Sequence, residues 1–174
     1  VNCQWMKACA VSVVEQPLAK GDEADLPRLR RETGMPLMVD ESLIDYHGAE
    51  KLAKAGAAEY WNLRISKNGG VLQTLRLADL ARKHGIGLCL GAMVGETGIL
   101  SAAARAVLQL TPHVRFVENS YGRHLLAEDL VPEPTHFGYG GRLRPLPGPG
   151  LGVTLDESVL ERRARQIADI RFGS

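Results

Sequence analysis

The sequence predicts an α/β fold: part of a parallel (β/α) barrel of the TIM type with about five strands. Three observations carry that expectation. Short apolar runs alternate with amphipathic helical stretches along the chain, which implies parallel strands joined by right-handed crossovers. The apolar runs are continuous, as strands covered on both faces require. Charged residues also recur at the strand ends with a near-constant period: 25 positions separate Glu15 from Asp40, and 24 separate Asp40 from Arg64. A doubly wound sheet contains similar units, but a fixed period with a charged group at each carboxyl end favours a barrel. A closed barrel needs eight strands, so these would form only part of one.

The elements follow in order. "ACAVSVV" after Lys7 reads as a buried strand rather than a targeting segment, because no cleavage pattern follows it. The run "AVSVVEQP" precedes a charged helix at about 22–33, and "PLMVDES" precedes the Ala-rich helix in "GAEKLAKAGAA". "EYWNLRISK" precedes "GVLQTLRLADLARKHG", where Leu72, Leu75, Ala78, Leu80 and Ala81 form an apolar stripe at helical spacing. "IGLCLGAMV" precedes the helix "GILSAAARAVLQL", and "VRFVEN" supplies the fifth strand. Gly34, Gly56 and Gly85 are placed to close three helices. From residue 131 the text turns Pro- and Gly-rich, "VPEPTHFGYGGRLRPLPGPGLGVTL", before a terminal helix in "DESVLERRARQIADIR". The organisation expected is a partial barrel over 1–130, with 131–174 packing on it.

Composition excludes several classes. A chain of 174 residues with 45% hydrophobic and 24% charged residues is globular in balance, and a net charge of +1 gives no electrostatic reason to bind nucleic acid or a membrane surface. No apolar run approaches the roughly 20 residues that span a bilayer. Three cysteines without a CxxC pair argue against a disulfide framework and fit a reducing cytoplasm. "GPGLG" and "GYGG" do not open a helix after a strand, and no GxxxxGK[ST] occurs, so a phosphate cradle is not supported. The five histidines show no metal-ligand spacing.

Carboxylates at successive strand ends of a parallel barrel meet at one mouth, where like charges repel unless a cation joins them. Glu15 and Asp40 are therefore candidate ligands for a hard divalent ion; the competing reading is that each caps a helix or pairs with an arginine. In "NLRISKNGG", Asn62 and Arg64 share one strand face, whereas Lys67 lies beyond the strand beside Gly69 and Gly70. An arginine stays protonated below about pH 12, which suits it to clamping a carboxylate rather than taking a proton. A strand-end arginine paired to Asp40 is the simpler alternative.

"VVEQPL", "PLMVDES", "NLRISKNGG", "RFVENSYGRHLLAEDL" and "GPGLGV" occur together, in order. In this they resemble the enolase superfamily, and within it the mandelate racemase and muconate lactonizing enzyme branch, in the C-terminal part of its barrel domain. The resemblance implies a Mg²⁺-dependent enzyme that removes the proton next to a substrate carboxylate through an enediolate. It places Glu15 and Asp40 as the metal ligands of strands four and five, with the third ligand near "VNCQW", where Asn2 and Trp5 match but the acid would fall before Val1. It puts Arg64 where close relatives carry a catalytic lysine, Glu118 as the strand-eight carboxylate over the substrate, and Glu96 in the loop after strand seven. Lys67 takes a secondary catalytic role, polarising a ligand or bracing the loop. Glu118 and Glu96 could instead cap helices. The helix between strands three and four would be mostly absent, since about ten residues separate Trp5 from Glu15.

The expected activity is that of a sugar-acid dehydratase, cycloisomerase or epimerase acting on a small carboxylate, incomplete in this chain alone. The alternative is a non-catalytic barrel fragment or binding module that has lost its third metal ligand. Unclosed parallel strands expose edges and apolar faces, so a homo-oligomer or pairing with a missing N-terminal part is expected.

Overall fold

Strand alternation sorts the side chains onto two faces with different chemistry. In a computed structural model, which describes residues 3–119, 121–136, 139, 142–163 and 165, five strands form one parallel sheet. They are β1 (Val14–Glu15), β2 (Leu37–Val39), β3 (Tyr60–Leu63), β4 (Gly87–Leu90) and β5 (Val114–Val117), in spatial order β1-β2-β3-β4-β5. One face carries Leu37, Val39, Trp61, Leu63, Leu88 and Leu90, all essentially inaccessible. They share a single core cluster with Leu26, Leu52, Leu77, Ala81 and Val107 of the helices. The other face carries Met38, Asp40, Asn62 and Cys89, and it opens outward at β5, where Phe116, in register with Cys89, is exposed.

Helices lie between the strands as the sequence predicts. They are α2 (Leu26–Thr33, preceded by a 3₁₀ turn at Glu23–Asp25), α3 (Tyr46–Ala55), α4 (Val71–Lys83) and α5 (Gly98–Leu110). α3 is capped by Asp45, whose carboxylate accepts from Gly48 N at 2.8 Å. Gly34 and Gly56 end α2 and α3 in the left-handed conformation that only glycine adopts freely. The buried stripe of α4 runs through Leu77, Ala78, Leu80 and Ala81. Leu72, predicted within it, stands 77% exposed on the first turn instead.

The N-terminal reading needs correction. α1 (Cys3–Ala8) is a short helix that the strand expectation did not foresee, and Cys9 to Ser12 of the supposed buried strand are exposed. Burial needs a cover: β1 is the edge of the described sheet, so only Val14 of that apolar run is buried. Asn2 lies outside the described residues.

The Pro/Gly-rich stretch is held to α5 at two points. Asp129 accepts from Gly98 N with both oxygens, at 2.8 and 3.0 Å. A Cβ on Gly98 would come within 2.2 Å of Val131, so only glycine allows this approach. About two turns further on, buried Arg105 donates to the backbone carbonyls of Pro134, His136 and Arg144. α6 (Gly122–Leu125) and α7 (Glu157–Arg163) complete the described elements. Among the described residues no helix is long and apolar enough to cross a membrane.

Candidate active site at the carboxyl ends of the strands

Strand register brings four charged side chains to the carboxyl ends of β1, β2 and β3. Asp40 follows β2 directly and is 1% exposed. Two cations hold it: Arg64 donates to one carboxylate oxygen, and Lys67 Nζ lies 2.6 Å from the other. Glu15 lies at the end of β1, with Oε1 3.8 Å from the Arg64 nitrogen that contacts Asp40. One guanidinium nitrogen thus sits between both carboxylates, where repulsion between the acids demands positive charge.

Lys67 lies past the end of β3, as the sequence predicts, but its side chain returns to the strand ends. Its long stem folds back, so that Nζ also donates to the carbonyls of Asp40 at 2.7 Å and Asn62 at 2.9 Å. Burial, aided by the Arg64 charge, pushes its ammonium down to about 7. The close Asp40 carboxylate acts in the opposite direction.

Glu96 and Glu118 take different places. Glu96 is a brace: its carboxylate accepts from Ser66 Oγ at 2.6 Å and from Met93 N at 2.9 Å, closing the loop after β4 over the β3 end. In the same loop, Met93 Sδ takes a contact from Arg64 at 3.4 Å. Glu118 continues β5 through Glu118 N to Leu90 O, and its exposed carboxylate has no hydrogen-bond partner among the described residues.

Three residues of the site carried no assigned role in the sequence. Gln16, with φ at 38°, turns its amide across to β2 and accepts from Asp40 N at 2.9 Å while donating to Ser42 Oγ at 3.0 Å. Asn68 accepts from Arg64 N and donates to the carbonyls of Leu43 and Ile44, tying two loops together. Asn62 donates from Nδ2 to Glu15 Oε1 at 2.8 Å, reaching from β3 past β2 to β1. So short an amide can span two strands only where the sheet curls, as a barrel wall does. Motif spacing points to none of these contacts, since an amide side chain reads equally well as a turn residue.

Cys89 pairs with Asn62 in register and is fully buried on the same face. Burial, then the charges of Glu118 and Glu15, push its thiol up to about 12. The native protein is therefore expected to show one fast-reacting thiol, exposed Cys9. Cys3 and Cys89 should react only on unfolding in a disulfide-exchange assay at pH 8. A second fast thiol would contradict the burial of Cys3 or Cys89.

The donor set bears on a cation. Glu15 and Asp40 offer hard carboxylate oxygens around a point already occupied by a positive nitrogen, which fits two ligands of a hard divalent ion. Among the described residues no group of three His, Cys, Asp or Glu side chains converges.

Known proteins share this arrangement of strands. The family model described as Enolase C-terminal domain-like matches residues 2–159. Muconate cycloisomerase 1 of Pseudomonas putida is 37% identical over 165 residues, covering 94% of this chain and 43% of that protein. N-succinylamino acid racemase of Thermus thermophilus is 34% identical over 150 residues, covering 86% and 40%. The solved muconate lactonizing enzyme from Pseudomonas putida superposes with a TM-score of 0.83 at 36% identity, over 94% of this chain and 45% of that one. The chain thus spans less than half the length of the relatives it matches. On the family match and these relatives, it belongs to the Enolase C-terminal domain-like family, within the mandelate racemase and muconate lactonizing enzyme branch, and forms the C-terminal part of the barrel.

Proposed function

We propose that this chain supplies the strand-four-to-eight side of an enzyme that abstracts the proton next to a substrate carboxylate, in the cycloisomerase, epimerase or dehydratase class. The observation that carries the reading is the convergence of Glu15 and Asp40 on one cationic nitrogen. Relatives named as a cycloisomerase and a racemase support the reaction class. Glu15 and Asp40 would hold Mg²⁺. A bound Mg²⁺ supplies stabilisation of the negative charge that develops on the substrate carboxylate.

The chain's own residues divide the remaining work. Lys67 fixes Asp40 through its carboxylate and its carbonyl, which sets the direction of that ligand. Arg64 cannot give up its proton at neutral pH, so it clamps a carboxylate and is not the base. Glu118, exposed on the open face and without a hydrogen-bond partner among the described residues, would accept or return a proton or hold a substrate hydroxyl. Glu96 acts through the loop that it closes. The open edges β1 and β5 call for cover by the rest of a barrel or by a second copy. Neither nucleic acid nor a membrane is needed as a partner, and the three free thiols suit a cytoplasmic setting.

A second reading has one specific support. With Arg64 and Lys67 both on Asp40 and no third acid converging with Glu15 and Asp40 among the described residues, the same cluster would hold together as a non-catalytic barrel fragment.

Exchange of the α-proton separates the two readings. Incubation in D₂O with Mg²⁺ and a panel of N-succinylamino acids, dipeptides and muconate, followed by proton NMR, is expected to show deuterium uptake or lactone formation. Arg64→Lys should reduce that rate at least about tenfold, because a lysine offers no bidentate fork. An undiminished rate would overturn the clamp assignment, and no exchange by any substrate would favour the fragment.

A further inference from the structure

We infer that Asn62 is the positioning residue for Glu15; the inference rests on the reading above that Glu15 is a cation ligand. Asn62 is 0% exposed, and its two amide ends have opposite fates. Nδ2 donates to Glu15 Oε1 at 2.8 Å, the same oxygen that faces the Arg64 nitrogen between the two acids. Oδ1 is buried with no hydrogen-bond partner among the described residues. It rests in a cradle that exists only because residue 91 is glycine: a Cβ there would lie 2.4 Å from it.

Packing alone does not account for this arrangement. A buried carbonyl oxygen without a donor destabilises a fold, whereas a leucine of nearly the same shape would carry no such penalty. The amide gives the fold little and gives Glu15 a great deal. Glu15 is the exposed member of the acid pair, on a two-residue edge strand, and Asn62 Nδ2 is the one neutral donor the described residues direct at its carboxylate. Asp40 differs, being held by Lys67 and Arg64. Asn62 therefore aims Oε1 at the shared point between the acids, at the expense of its own buried oxygen.

The two effects have opposite signs in Asn62→Leu, which distinguishes positioning from a structural role. Mn²⁺ affinity, measured by electron paramagnetic resonance, is expected to weaken about tenfold, the effect of one hydrogen bond to a charged group. The urea midpoint should stay level or rise. A fallen midpoint with unchanged Mn²⁺ affinity, or no change in either, would overturn the inference. A metal-free readout covers the case in which the variant does not fold. In ¹⁵N spectra of the wild-type chain the Asn62 side-chain amide protons should exchange slowly and shift on Glu15→Ala; an amide indifferent to Glu15→Ala sinks the proposal. Should the wild-type chain bind no Mn²⁺, the cation reading of the previous subsection fails, and the amide response alone decides whether Asn62 orients Glu15.

Discussion

Asp40→Asn is expected to abolish divalent-cation binding and to destabilise the fold by about 3 kcal/mol near pH 6. Asp40 is the buried counter-charge of two cations, and the neutral amide leaves Arg64 and Lys67 facing each other with only the less direct charges of Glu15 and Glu41 to answer them among the described residues. Removing one partner of a buried ion pair typically costs about 3–5 kcal/mol, because the remaining charge stays desolvated. The lower end applies, since Arg64 keeps some solvent access. The loss should also depend on pH. Lys67 already has its ammonium pushed down to about 7 in the fold, against an ordinary 10.5. Between those values the unfolded chain binds the extra proton, so the Lys67 contribution to stability rises with pH across that window. Without Asp40, Lys67 sheds its proton more readily still, whereas Arg64 cannot. The deficit should shrink between pH 6 and pH 9 in urea titrations of variant and wild type. A deficit that is flat with pH, or Mn²⁺ binding as tight as in the wild type, would refute the assignment.

Trp61→Ala should produce the largest loss from packing, about 3–5 kcal/mol. Trp61 is the largest fully buried side chain, on β3 at the middle of the sheet, and is paired in register with Val39 and Leu88. Its removal leaves a hole walled by β-sheet on one side and helices on the other, where backbone constraints limit collapse. Its indole nitrogen is buried without an acceptor among the described residues, which offsets a little of the loss. Trp61→Phe, which restores most of the volume and removes the orphan donor, should recover more than half of it. Unfolding followed by far-ultraviolet circular dichroism gives the comparison, since Trp61 itself is the removed chromophore. An alanine variant within about 1 kcal/mol of wild type would mean that β3 is not the centre of the core.

Much of this architecture is written locally in the sequence. The five apolar runs, the four helices between them and the terminal glycines Gly34 and Gly56 all follow from periodicity and backbone preference, which act over a few residues. The positions of Glu15, Asp40 and Arg64 at consecutive strand ends follow from the same periods. What escaped depends on reach and cover. Lys67 returns to Asp40 through a flexible stem whose direction no pattern encodes. Gln16 and Asn62 act across strands 20 or more positions away in sequence, and Glu96 ties its own loop to Ser66, 30 positions earlier. The apolar run around Val11 looked like a buried strand because composition cannot report whether another element lies over it.

The spatial order of the strands repeats their order in the chain, each hydrogen-bonded to the one before it. During synthesis each strand from β2 to β5 therefore emerges after the strand it pairs with, so the sheet itself can form without waiting for a later segment. Growth of this wall can proceed from amino to carboxyl end as translation does, leaving at each moment a single fresh row of unpaired amides at the advancing side.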